Sequence, residues 1–269
     1  TVCELCSLDK KLSPVVKLNS VKNGNPLWII HGAGGSVSEF NSIAQALDIP
    51  VYGIQWIDEN HCLKSIYDIS SYYLKCIHEI QQSGPYNICG YSMGATIAWE
   101  IIKQLDDHTS NFIIIDAANV PHLNDKRKQL GDHVSNNNII APHLNDKSNY
   151  NWGEIIYLYG IYGKEFENEM KTMNDYNVII EKYKSKLDSK LHLGMERYVS
   201  LFEIHSKMLK EYNDYPIIKY NKIMYIMCNN NSNAKIIEKS NNIIYIPNTN
   251  HISILYEPHT LKEITTWLK

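Results

Sequence analysis

Apolar residues in this chain gather in short blocks, and the stretches between the blocks have a helical period. "LWIIH" (27–31), "VYGIQW" (51–56), "YNICGY" (86–91), "FIIID" (112–116), "KIMYIMC" (222–228) and "NIIYIP" (242–247) are apolar runs of strand length, which predicts strands buried on both faces. Helices are predicted between and after them, over 37–47, 66–82, 93–105 and 258–268. In "SIYDISSYYLKCIHEIQ", Ile66, Ile69, Tyr73, Cys76, Ile77 and Ile80 recur at helical spacing and predict one buried face. Strand–helix alternation of this kind predicts an α/β fold, a mostly parallel sheet with helices on both sides. Ligands of such sheets bind beyond the carboxyl ends of the strands.

The alternation stops between about 118 and 216, where the chain is polar, rich in Asn, Lys and Tyr, and patterned as helices without strands. "YNWGEIIYLYGIYG" and "MERYVSLFEIHSKMLKEY" are its clearest amphipathic pieces. The hexapeptide "PHLNDK" occurs there twice, at 121–126 and 142–147. One duplicated hexapeptide does not make a solenoid, which needs several longer units, so it is read as a local loop duplication. The expected organisation is a linker over 1–14, a core over 15–118 and 217–269, and an inserted helical lid over 119–216 that caps the carboxyl edge of the sheet.

Composition narrows this picture without redirecting it. With 269 residues, 44% of them apolar, the chain can bury a large core. A formal net charge of -3 gives no electrostatic basis for nucleic-acid binding. No apolar run approaches the roughly 18 residues of a membrane helix. The chain begins with Thr1 and has no basic-then-apolar leader, so it is expected to be a fragment cut from a larger polypeptide or a processed form. Its six cysteines are scattered, and "CELC" (3–6) has no second ligand pair at zinc spacing, so no metal is expected. Cys76, Cys89 and Cys228 lie in apolar contexts suited to small buried thiols, and a reducing, cytoplasmic setting is expected.

Candidate chemistry centres on "NICGYSMGAT" (87–96). Gly90, Ser92 and Gly94 stand where a predicted strand gives way to a predicted helix, the setting of a nucleophile elbow in an α/β-hydrolase fold. The glycines lack the β-carbons that would collide with strand and helix, and the Met93 N–H at the helix start can face an oxyanion. A serine hydroxyl needs a base. His251, after the last predicted strand and the turn "NTN", is the best placed of eleven histidines. His259 falls on the final helix and His205 on an inserted one, while His31 is expected to shape the loop that follows it. Many hydrolases of this fold carry the triad acid after the penultimate strand. Here "NNNSNAKII" follows that strand and has no carboxylate before Glu238, so Asp116, ending "FIIID", is the expected acid. The second oxyanion donor is expected from "HGAGGS" (31–36), with the Ala33 N–H favoured; that loop lacks the spacing of a nucleotide cradle.

"PLWIIHGAGGSVSEFNSIAQAL", "IPVYGIQW", "SGPYNICGYSMGATIAWEI" and "FIIIDAA" together resemble the thioesterase domain that ends animal type I fatty acid synthases. Related release domains end polyketide and nonribosomal peptide synthases, and the glycine-rich "HGAGG" is slightly more like theirs. The resemblance implies a triad of Ser92, Asp116 and His251. It also implies hydrolysis of a fatty acyl chain from the phosphopantetheine arm of an acyl carrier protein domain, in the same polypeptide, through an acyl-enzyme intermediate. No cofactor is then needed, since the phosphopantetheine belongs to the substrate. In the family the insertion helps form the acyl groove, which nominates Trp152, Ile156, Tyr159 and Phe202, with Ile155, Tyr162, Val199 and Leu209 beside them. The rivals are a polyketide or peptide release domain able to close a ring, a free-standing carboxylesterase, and a non-catalytic carrier-docking module.

Overall fold

The computed structural model describes residues 13–58, 62–105, 109–117, 182–183, 195–212, 222–229, 237–240 and 242–269. Among these, eight strands form one sheet in the order β1-β3-β2-β4-β5-β6-β8-β7. They are β1 (Val15–Lys17), β2 (Leu27–Ile30), β3 (Val51–Ile54), β4 (Tyr86–Tyr91), β5 (Thr109–Ile115), β6 (Ile223–Asn229), β7 (Ile237–Ser240) and β8 (Ile243–Pro247). The six from β3 to β8 across the middle run parallel. The two edge strands, β1 on β3 and β7 on β8, run antiparallel. Every residue of β2 and β4 is buried, which explains why β2 reads as an unbroken apolar run and β4 as one interrupted only by Asn87 and Gly90.

Alternate side chains of each strand feed two cores, one on each face. Trp28, Ile30, Ile88, Phe112 and Ile114 join one with α2 (Ile66–Ile80) and α3 (Gly94–Leu105). Leu27, Ile29, Cys89, Ile113 and Ile115 join the other with α1 (Asn41–Gln45) and α5 (Pro258–Trp267). Helix α2 starts on a reciprocal cap. The Ser65 side chain accepts from the Asp68 N–H at 3.1 Å, and Asp68 Oδ2 accepts from the Lys64 N–H at 3.1 Å. Its buried face carries the expected residues except Ile80, which is exposed in the last turn.

Four differences from the sequence reading have simple causes. Strands β1 and β7 were not expected; they are three- and four-residue edge strands without an apolar run of their own. Strand β5 begins at Thr109, before the apolar run starts. The helix expected over 37–47 is a 3-10 turn (Ser38–Phe40) followed by the short α1.

Within the stretch read as an insertion, α4 (Met195–Glu211) is described, and the expected "YNWGEIIYLYGIYG" helix and both "PHLNDK" copies lie outside the described residues. Tyr198, Leu201, Phe202, His205 and Met208 form the buried face of α4 at helical spacing.

Candidate active site

The elbow is built by close approach. A β-carbon on Gly90 would run into Ala95 and the Gly94 carbonyl, and one on Gly94 would run into the carbonyl oxygens of Ile30 and His31. Strand β4 and helix α3 therefore sit closer than any other residue type permits. Between them Ser92 has φ 54, in the left-handed region that few non-glycine residues occupy. Its N–H donates to the Ile115 carbonyl at 2.9 Å, which fastens the turn to the end of β5. The side chain is half-buried.

Asp116, one residue past β5, also has a positive φ, of 45, and its N–H donates to the Ile226 carbonyl on β6 at 2.8 Å. Its carboxylate collects three donors: His251 Nδ1 at 2.6 Å, the Cys228 N–H at 3.1 Å and the Cys228 thiol at 3.3 Å. Burial pushes the Asp116 pKa up, but hydrogen bonding and charge from His251 and the two bonds from Cys228 outweigh it. The carboxyl stays below its ordinary value and ionised. A carboxylate only accepts, so Nδ1 of His251 carries the proton and Nε2 is left as the basic nitrogen.

His251 stands in a turn of four residues. The Asn250 side chain accepts from the N–H groups of Ile252 and Ser253, and the Ser253 hydroxyl accepts from the Asn250 N–H. Tyr91, the residue before the elbow serine, holds this turn from below. Its hydroxyl donates to the His251 carbonyl at 2.7 Å, and its ring stacks on the imidazole at 4.8 Å between centroids. Ser92, Asp116 and His251 are thereby gathered at the carboxyl edge around β4, β5 and β8. Among the described residues, Ser92 Oγ makes no hydrogen bond; catalytic hydrogen bonds often tighten only when substrate is present.

The loop after β2 completes the neighbourhood. A β-carbon on Gly32 would lie 3.6 Å from Ser92 Cβ. Gly35, at φ 74, closes a turn in which its N–H donates to the Gly32 carbonyl at 3.0 Å. The N–H groups of Ala33 and Met93 have no acceptor among the described residues. Two buried imidazoles back the loop. His31 Nδ1 donates to the Gly32 carbonyl at 2.6 Å, and its Nε2 meets the Tyr73 hydroxyl at 2.8 Å. His205, on α4, donates from Nδ1 to the Ala33 carbonyl at 2.7 Å. Burial, with the neighbouring His205, lowers the His31 pKa to about 3, and burial lowers that of His205 to about 4, so both rings are neutral.

Several of these residues were not foreseen. Cys228, expected to be a packing thiol, is only partly buried and bonds the acid. Tyr91 and His205 have no motif to announce them. Glu39, two residues into the next turn, is partly buried with its carboxyl pushed up to about 7, and its charge is felt by Tyr91 and Tyr256. His259 pairs with Glu263 on α5 at 3.4 Å, apart from this cluster. Of the nominated groove residues, Phe202 is buried on α4 and outside both core clusters. Leu209 packs against the first core, and the Val199 side chain is not described. Trp152, Ile155, Ile156, Tyr159 and Tyr162 lie outside the described residues. Among the described residues no group of three or more His, Cys, Asp or Glu side chains could hold a metal ion. No helix there is long and apolar enough to cross a membrane.

Residues 25–149 match the family described as "Thioesterase domain". That segment holds the glycine-rich loop, the elbow and Asp116. The chain is 35% identical over 109 residues to the polyketide synthase PksR of Bacillus subtilis (strain 168), and 30% identical over 135 residues to the nonribosomal peptide synthetase apvA of Aspergillus terreus (strain NIH 2624 / FGSC A1156). The alignments cover 38% and 48% of this chain, and only 4% and 15% of those much longer relatives. In fold, the chain is similar to the NocB thioesterase domain from the nocardicin cluster (TM-score 0.59, 14% identity, 94% of this chain and 98% of that one). Residues 25–149 are thus similar to thioesterase domains, and the chain is similar to short parts of polyketide and nonribosomal peptide synthases. The expectation of an animal fatty acid synthase domain, and with it a role in lipid metabolism, is corrected: these relatives are polyketide and nonribosomal peptide synthases.

Proposed function

We propose that this chain is a release thioesterase of the nonribosomal peptide and polyketide type, acting on an acyl or peptidyl chain held as a pantetheine thioester by a carrier domain. The observation that carries the reading is the 2.6 Å hydrogen bond from His251 Nδ1 to Asp116, beside an elbow serine at positive φ. Ser92 Oγ attacks the thioester carbonyl while His251 Nε2 takes its proton, and the imidazolium is stabilised by Asp116. The tetrahedral oxyanion is met by the unengaged N–H groups of Ala33 and Met93. Its collapse breaks the carbon–sulfur bond, and His251 returns the proton to the leaving thiol. His251 then deprotonates water, or a hydroxyl or amine of the bound chain, which attacks the acyl carbon. The adduct collapses by breaking the bond to Ser92 Oγ, which takes the proton back from His251, and an acid or a ring is released. The pantetheine arm belongs to the substrate, so the scheme draws on protein groups alone.

The test is a panel of pantetheine thioesters with plain acyl, hydroxyacyl and aminoacyl chains, with products identified by mass. Wild-type protein is expected to show a Ser92-linked acyl adduct and thiol release. Ser92→Ala is expected to show neither, with an unchanged thermal midpoint. Thiol release by Ser92→Ala at the wild-type rate overturns the proposal. Preference for simple oxygen esters over pantetheine thioesters favours a carboxylesterase instead.

A further inference from the structure

In a trans peptide the carbonyl and the following N–H point in opposite directions, so a donor that captures the carbonyl also aims the N–H. The Gly32 carbonyl and the Ala33 N–H share one such unit, and the Ala33 carbonyl and Gly34 N–H share the next. The first carbonyl is captured twice, by His31 Nδ1 and the Gly35 N–H; the second is captured by His205 Nδ1. Each imidazole is itself braced. The Tyr73 hydroxyl donates to His31 Nε2, and the His205 ring lies against His31 (5.4 Å, stacked) and edge-on to Trp56 (4.8 Å). Both histidines and Tyr73 are fully buried. Nothing in the scheme above uses either histidine.

From this geometry we infer that His31 and His205 are positioning residues of the oxyanion loop, and that helix α4 completes the site by carrying His205 onto the Ala33 carbonyl. The inference rests on the thioesterase reading. Neither ring touches the reacting atoms. His31 fixes the peptide unit that carries the Ala33 N–H, and His205 fixes the next unit, whose N–H is that of Gly34, and so anchors Ala33 from its far side. Helix α4 is suited to this because its contacts run along Ala33, Gly34 and Gly35. Tyr198 lies against Gly34, Leu201 against Gly35, His205 bonds Ala33, and just past the helix Tyr212 donates to Glu100 of α3 at 2.7 Å. A change in how α4 seats would be felt first at the Ala33–Gly34 peptide.

The experiment compares wild type with His205→Leu, His205→Asn and His205→Gln, reading kcat and KM on a pantetheine thioester and the affinity of a serine-directed boronate that mimics the tetrahedral adduct. Asn can place an amide N–H near the position of Nδ1, whereas Gln sets its amide farther out. His205→Leu is expected to lower kcat and weaken the boronate by about 10–100-fold, approaching the loss of one oxyanion donor, with KM within about threefold. His205→Asn is expected to recover most of the rate, and His205→Gln is not. A folded His205→Leu with wild-type kcat overturns the inference. If His205→Leu does not fold, the other two variants decide: equal rates for Asn and Gln, or rates that only follow their thermal midpoints, overturn it. Fluorophosphonate labelling separates the two levels of failure. Wild-type protein that neither labels at Ser92 nor releases thiol overturns the thioesterase reading and the inference with it, while labelled, active wild type with insensitive His205 variants overturns the inference alone.

Discussion

At the scale of single residues, the site is held by polar groups that burial makes costly to leave unpaired. Tyr91 spends both its hydroxyl and its ring on His251, one residue from the elbow serine. Tyr91→Phe keeps the stack and loses the hydrogen bond. It is expected to cost about 1 kcal/mol of stability and to reduce kcat severalfold more than KM, checked by urea unfolding and steady-state kinetics. The buried titrating groups also predict a pH profile of stability. His31 and His205 have folded pKa values of about 3 and 4 against an ordinary 6.5, so below 6.5 the unfolded chain binds the extra protons. Their contribution is complete above 6.5 and is lost as pH falls toward 4 and then 3. Glu39 acts oppositely: raised from 4.5 to about 7, it favours the folded state at low pH and loses that contribution as pH rises through 7. Between 6.5 and 4.5 two histidines outweigh one carboxyl, and stability should fall by on the order of 1 kcal/mol per pH unit, because Glu39 offsets about one of them until it is protonated in the unfolded chain as well. A urea midpoint that is flat from pH 6.5 to 4 would contradict the burial of these rings.

At the scale of elements, the decisive contacts are between neighbours that cannot be separated further. Gly94 opens α3 against the carbonyls of Ile30 and His31, with no room for a methyl group. Gly94→Ala is expected to push α3 away from β2 and widen the gap between Met93 and Ala33. It should lower kcat by more than tenfold and stability by about 1–3 kcal/mol, the usual cost of overpacking; kinetics and thermal unfolding on one preparation read both. This part of the site was legible, because a glycine on each side of Ser92 at a strand–helix junction is a local pattern with a local cause. The split of the expected 37–47 helix and the two short edge strands were not, since pairing at a sheet edge is set by the neighbouring strand.

At the scale of the whole molecule, the sheet order places β5 beside β4 and β8 one strand further on, across β6. The chain therefore crosses back so that residues 92, 116 and 251 meet at one rim. Many hydrolases of this fold carry their acid after the strand corresponding to β6; here Cys228, near the end of β6, donates to Asp116 at the end of β5. The expectation that the acid stands one strand earlier came from the absence of a carboxylate in "NNNSNAKII". The thiol's part in holding that acid had no such signal, because Cys in an apolar run reads as packing.

What the amino-acid order determined by itself was whatever depends on near neighbours: the period of each apolar run, the glycines that permit a strained serine, and the strand-end residues that could become acid and base. Tertiary structure alone decided which distant groups support them. Ala33 and His205 are 172 positions apart, Cys228 and Asp116 are 112 apart, and Tyr91 and His251 are 160 apart. The first pair forms only when α4 lies across the glycine-rich loop, and the other two only when the sheet brings its strand ends together. Hydrophobic periodicity records which face of an element is buried, and it is blind to which polar atom waits on the other side.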